Sequence, residues 1–136
     1  MCGVSPPAQL TTPEFDGGIK QAVIGLGLTP GKAGAFIGVR QVARGVTVMG
    51  SVVYEALEVV LAHQAAYIHT NATIFDIEGI VPVCRAAGVI VMGIEHDDIT
   101  DDVLAALADP KHKKIPIIFA RNEQLVDELR EIVSKY

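Results

Sequence analysis

Five short aliphatic runs, each separated from the next by a connection too long for a tight turn, constrain this chain more than any other feature. They occupy residues 22–26, 46–49, 65–69, 89–94 and 115–120 and read as strands. The segments between them are long enough for a helical crossover, which parallel neighbours require and hairpins do not. Alternation of this kind implies βαβ units. The expectation is a three-layer α/β/α fold with a five-stranded, mainly parallel sheet of flavodoxin-like or Rossmann-like organisation.

Composition supports that reading. Half of the 136 residues are hydrophobic but only 5% are aromatic, so burial has to come from Val, Ile, Leu and Ala, which suits a sheet covered on both faces. The length suits one domain with a single core. Residues 1–18, with Pro6, Pro7, Pro13, Gly17 and Gly18, read as an irregular N-terminal arm that contributes little to the core, and 19–136 as a single α/β domain.

Helical segments follow from caps and spacing. Thr29 as N-cap with Pro30 behind it opens a first helix that runs to Arg44 and stops at Gly45. A second, 51–63, is apolar on most of its circumference, with Glu55 and Glu58 as its charged positions, and calls for extra burial or self-association. Gly79 and Pro82 interrupt the segment 73–87, leaving a loop followed by a short helix. A fourth helix opens near Asp98 to Thr100 and ends before Pro110. The last, from Asn122 toward Lys135, places Leu125, Val126, Leu129, Ile132 and Val133 on one face.

A formal net charge of −5 argues against a surface built to neutralise nucleic-acid phosphates. The one basic cluster, Lys111, His112, Lys113 and Lys114, reads as a solvated turn. Cys2 and Cys84 stand in no disulfide or metal spacing, which points to a reducing compartment. No apolar run nears the roughly 18 residues that span a bilayer, and no secretory leader pattern opens the chain. The expectation is a cytoplasmic homo-oligomer with no nucleic acid and no membrane among its partners, a small anionic molecule as its ligand, and no cofactor identified by any motif.

The segment from Gly25 to Gly34 lies where a first strand turns into a first helix, the usual place for phosphate on helix N-terminal amides. Its spelling is neither nucleotide motif. Pro30 stands where a dinucleotide fingerprint wants its third glycine; Leu26 and Ala33 stand where a phosphate loop wants Gly and Ser or Thr. A looser anion site remains, with Gly25, Gly27, Thr29, Gly31 and Lys32 at this turn and Ser51, Thr70 and Asn71 at neighbouring strand ends. The plainer reading is that Gly27 and Gly31 serve the turn, while Gly34 and Gly38 let the first helix pack closely on the sheet.

The opening Met1-Cys2-Gly3-Val4 is similar to the start of the N-terminal-nucleophile glutamine amidotransferases, in which removal of Met exposes the cysteine as thiol and amine. That resemblance covers four residues and implies a nucleophile at Cys2. The βαβ pattern of the rest departs from that family's sandwich of antiparallel sheets.

A second constellation joins His69, at the end of the third strand, to Glu95, His96 and Asp97 after the fourth. Parallel strands would bring these ends to one edge, as nitrogen and oxygen ligands for a metal or as an acid-base pair. Against this stands the use of Asp97, Asp98, Asp101 and Asp102 as first-turn acids of a helix. Cys84, among Val, Pro and Ala, reads as a small core residue before it reads as a nucleophile. Three functions stay open: binding of an anionic or phosphorylated small molecule, catalysis by the His69 to Asp97 group, and association without catalysis.

Overall fold

The computed structural model describes residues 11–111 and 113–136. The expected role of Cys2 and the His112 member of the basic cluster lie outside those residues. Five strands, β1 (Val23–Gly27), β2 (Gly45–Thr47), β3 (Ala66–Ala72), β4 (Ile90–Gly93) and β5 (Ile115–Ala120), form one sheet in the order β2-β1-β3-β5-β4. The α-helices among the described residues are α1 (Ala33–Val42), α2 (Val52–Val60), α3 (Ile74–Ile77), α4 (Ile80–Ala86), α5 (Thr100–Ala108) and α6 (Glu123–Ser134).

The sheet is mixed, where a mainly parallel one was expected. β1 is parallel to β2 and β3, but β5 is antiparallel to both β3 and β4. The crossover from β3 to β4 skips one strand position, leaving unpaired backbone groups on both sides of the gap. β5 fills that gap and satisfies both edges. It enters from the edge at which β4 ends, so the connection carrying α5 closes a long hairpin and makes no crossover. Because β3 and β4 run the same way, their C-terminal ends do share one edge of the sheet.

Strand alternation divides the core into two layers. Tyr67, Ile117 and Phe119 face a layer built from α2, α3 and α4, with Val59, Ile77 and Cys84 buried against them. Ile24, Ile68 and Ile118 face the other layer, where Val39 of α1 meets Leu125, Leu129 and Val133 of α6. Gly34 and Gly38 serve this second layer differently from the expectation. A Cβ at Gly34 would collide with the Tyr136 ring, and one at Gly38 would lie 3.0 Å from Ile132, so these glycines admit the end of α6 and not the sheet.

Local signals act at several helix ends. Ser51 Oγ accepts from the Tyr54 amide at 3.2 Å, Asn122 Oδ1 from the Leu125 amide at 2.9 Å, and Thr73 and Asp76 form a capping box that starts α3. The first helix departs from the expected plan. A 3₁₀ turn over Pro30–Lys32 precedes α1, and Thr29 gives its carbonyl to the Lys32 amide without capping a helix.

Helix α2 turns a different face inward from the one its charges suggest. Glu55 is buried with Val52, Ala56, Val59 and Val60, while Val53, Tyr54 and Leu61 are exposed. Residues 11–18 contain no helix or strand, yet they are fastened to the domain. The Thr12 hydroxyl donates to Val60 O at 2.8 Å, the Arg121 guanidinium to Pro13 O at 2.7 Å, and Asn122 Nδ2 to Phe15 O at 2.7 Å.

Candidate functional site

Two recesses flank Thr29 at the C-terminal ends of β1 and β3, one on each face of the sheet. The first, a groove of about 560 Å³, is lined by Thr29, Lys32, Thr70, Asn71, Glu95 and Arg130 among others. The second, a cavity of about 300 Å³ between these strand ends and α2, includes Gly27, Thr29, Phe36, Glu55, Tyr67 and His69. Period-two alternation along β3 sends Thr70 to the groove and its neighbour His69 to the cavity.

The groove is held open by hydrogen bonds between its walls. The Thr29 amide donates to Thr70 Oγ1 at 3.1 Å, and the Lys32 ammonium donates to Tyr136 O at 3.3 Å. Arg130 donates through Nε and Nη2 to Gly93 O, at 3.2 and 2.8 Å, and through Nη1 to Asp97 Oδ1 at 2.8 Å. A guanidinium carries five N–H groups, so donors remain after these contacts. Lys32 and Arg130 thus bring two positive charges to the groove, the second already paired with Asp97, and the other polar walls are Thr29, Thr70, Asn71, Ser134 and the carboxylate of Glu95.

Of the residues expected to bind an anion, Thr29, Lys32, Thr70 and Asn71 line the groove and Gly27 lines the cavity. The other three have different surroundings. Gly25 is inside β1, where a Cβ would collide with the Gln64 side chain; Gly31 is in the 3₁₀ turn with open space beside it; Ser51 caps α2.

The second constellation does not gather, and among the described residues no three His, Cys, Asp or Glu side chains group in a way that would hold a metal ion. His69 lines the cavity, where its Nδ1 accepts from the Asn71 amide at 2.9 Å, while Glu95 lines the groove. His96 pairs with Asp102 at 2.8 Å, and Asp97 pairs with Arg130. β5 separates the two strand ends that were expected to bring these groups together. Burial lowers the His69 pKa from its usual value, against the pull of Asp76 and with a smaller lowering from Lys114. The ring is therefore neutral at pH 7, and the Asn71 contact leaves Nε2 as its protonated nitrogen. Burial also pushes the Cys84 thiol up to about 12, which removes thiolate chemistry at neutral pH.

Sequence reading missed Arg130, Glu55 and Gln64. Arg130 reaches the groove only because α6 packs beside β5. Glu55 carried a usable signal, because it stands three after Val52 and four before Val59, on the apolar stripe of its own helix.

No family model matches the sequence, and no curated protein sequence matches it. The fold does have counterparts among solved structures. It is similar to an inositol monophosphatase from Zymomonas mobilis, with a TM-score of 0.73 at 15% identity over 92% of this chain and 46% of the other. The IMPase of Thermotoga maritima gives 0.75 at 16% identity over 95% and 46% of the two chains. A staphylococcal IMPase-II with inositol monophosphate bound gives 0.70 at 16% identity, over 89% and 44%. The chain spans about half the length of these structures, and at such identity the likeness is one of fold. Among the described residues no helix is long and apolar enough to cross a membrane.

Proposed function

We propose that this domain binds a phosphorylated small molecule in the groove between the turn after β1 and α6, with the phosphate between Lys32 and Arg130. The observation that carries this reading is the meeting of those two cations with Thr29, Thr70 and Asn71 at the C-terminal strand ends. A phosphate oxygen there takes charge-assisted bonds from both cations and neutral bonds from hydroxyl and amide groups. Open α/β sheets bind ligands at this edge. Structures of similar fold hold inositol monophosphate in one case and magnesium with phosphate in another, which fits the same ligand class. The reading concerns binding; the half-length match assigns no hydrolytic step.

Thermal unfolding with inorganic phosphate and with inositol monophosphate tests it. The expected result is a concentration-dependent rise in Tm that Lys32→Ala removes. A wild-type Tm unmoved by either ligand, or a rise that survives in the variant, overturns it.

A second reading, association of copies, rests on a separate surface. Phe75 is 68% exposed, and Val53, Tyr54 and Val83 are also exposed large apolar side chains, with Val53, Phe75 and Val83 lining one shallow recess on the α2, α3 and α4 face. Val52, Val59 and Val60, the more obvious apolar positions of α2, are spent on the internal core. If this face joins two copies, sedimentation finds a dimer and Phe75→Glu a monomer. A monomeric wild type at micromolar concentration removes the reading.

A further inference from the structure

Among the described residues, the buried polar side chains are two that the proposed groove does not use. Glu55 is 0% exposed and Gln64 is 2% exposed, and both side chains pack over Gly25, where any Cβ would collide with them. Thr47 of β2 joins them. Gln64 Nε2 donates to Thr47 Oγ1 at 2.6 Å, and the Thr47 hydroxyl donates its single proton to Glu55 Oε1 at 3.2 Å. Two buried acceptors are left over without a hydrogen-bond partner, Glu55 Oε2 and Gln64 Oε1.

We propose that Glu55 folds as the neutral carboxylic acid, and that its proton locks α2 to β2 and to the Gln64 turn, closing the inner wall of the cavity. One proton resolves both defects. It removes a charge that has no cation beside it, and it turns Oε2 from an acceptor lacking a donor into a donor, for which Gln64 Oε1 is the waiting acceptor.

The neighbours on every side are consistent with a neutral acid. Gly25 of β1 leaves room for the carboxyl, Thr47 of β2 donates to it, and the Met49 backbone just beyond β2 also hydrogen-bonds it. β3 contributes Tyr67, whose ionisation burial pushes up, and His69, whose protonation burial opposes. Asp76 of α3 acts on Tyr67 and His69 and is itself acidic. Burial raises the Glu55 pKa above the ordinary glutamate value, against smaller lowering from Thr47, Gln64 and the Met49 backbone.

The proton matters beyond stability because Glu55 lines the cavity that shares Thr29 with the groove. Loss of the proton places an unpaired negative charge in that wall. The lock stands apart from the phosphate reading and does not need a ligand.

Two measurements on the full chain test the lock. A folded-state pKa above the unfolded one means that the folded chain holds the extra proton, so stability is complete below the unfolded value and is lost as pH rises through the folded one. From about pH 5 to pH 8, wild-type Tm should therefore fall relative to Glu55→Gln, which is uncharged at every pH and supplies both a donor and an acceptor. Carbon-13 NMR of the glutamate side chains in the wild type reads the protonation state directly, whether or not the variant folds. One carboxyl carbon should keep its protonated shift to higher pH than those of the other glutamates. All glutamates titrating in the ordinary range, or parallel Tm curves for wild type and variant, overturn the proposal.

Discussion

The Thr70 hydroxyl at the end of β3 accepts a hydrogen bond from the Thr29 amide at 3.1 Å, tying the turn after β1 to the next strand across 41 residues of sequence. It holds the wall common to the groove and the cavity. The same hydroxyl lies 3.5 Å from Thr29 Oγ1, so it has a second partner at the same turn.

Thr70→Val keeps the shape of the side chain and removes the acceptor. The Thr29 amide then loses its partner in a part-buried position, at a cost of about 1 kcal/mol in urea unfolding. Phosphate affinity, measured by calorimetry, should weaken as the turn loosens. Unchanged stability would show that water replaces the hydroxyl at no cost.

His69 sets a pH dependence opposite in sign to that of Glu55. Its pKa is lowered in the folded chain, so the unfolded chain binds more protons as pH falls toward and below the usual value of 6.5. Its contribution is therefore complete above 6.5 and is lost as pH falls through the folded value. His69→Gln should flatten the acid side of the Tm profile, and NMR should find the His69 ring titrating at lower pH than a free imidazole.

Asn122 does two jobs from one side chain. Oδ1 caps α6 through the Leu125 amide, and Nδ2 donates to Phe15 O and Gly17 O at 2.7 and 2.9 Å. Loss of a cap alone costs about 1 kcal/mol. Asn122→Ala should cost more than that in chemical unfolding, and should speed proteolysis within residues 11–18, because it also releases the arm. Cleavage at the wild-type rate would show that the Arg121 and Thr12 contacts hold the arm without Asn122.

Much of the local structure was legible because it depends on neighbours within a turn or two. The apolar face of α6, the Ser51 and Asn122 caps, and the continuous apolar run of β5 all follow from residues close together in sequence. That Thr29, Lys32, Thr70 and Asn71 share one edge was legible for the same reason, since they stand at the ends of neighbouring strands. The Thr29 cap was misplaced because a 3₁₀ turn intervenes, so that α1 begins at Ala33 with Lys32 at its N-cap, and the Thr29 hydroxyl lies beside that of Thr70, far away in sequence.

What the sequence alone determined is therefore the five strands, most of the helices, the apolar face of α6 and the polar edge; the inward face of α2 and the helix α3, where a loop was expected, it did not. Only the tertiary structure decided that β5 enters between β3 and β4 in the opposite direction, because periodicity fixes which side of a strand is buried and says nothing of which edge it pairs with. That one insertion parts His69 from Glu95, His96 and Asp97. The α6 that follows β5 packs beside α1 on the groove's face, where Arg130 meets Lys32. Glu55 follows the same rule. Its place on an apolar stripe is local, but its burial against Thr47 and Gln64 depends on how α2 docks, and docking is settled by the whole core.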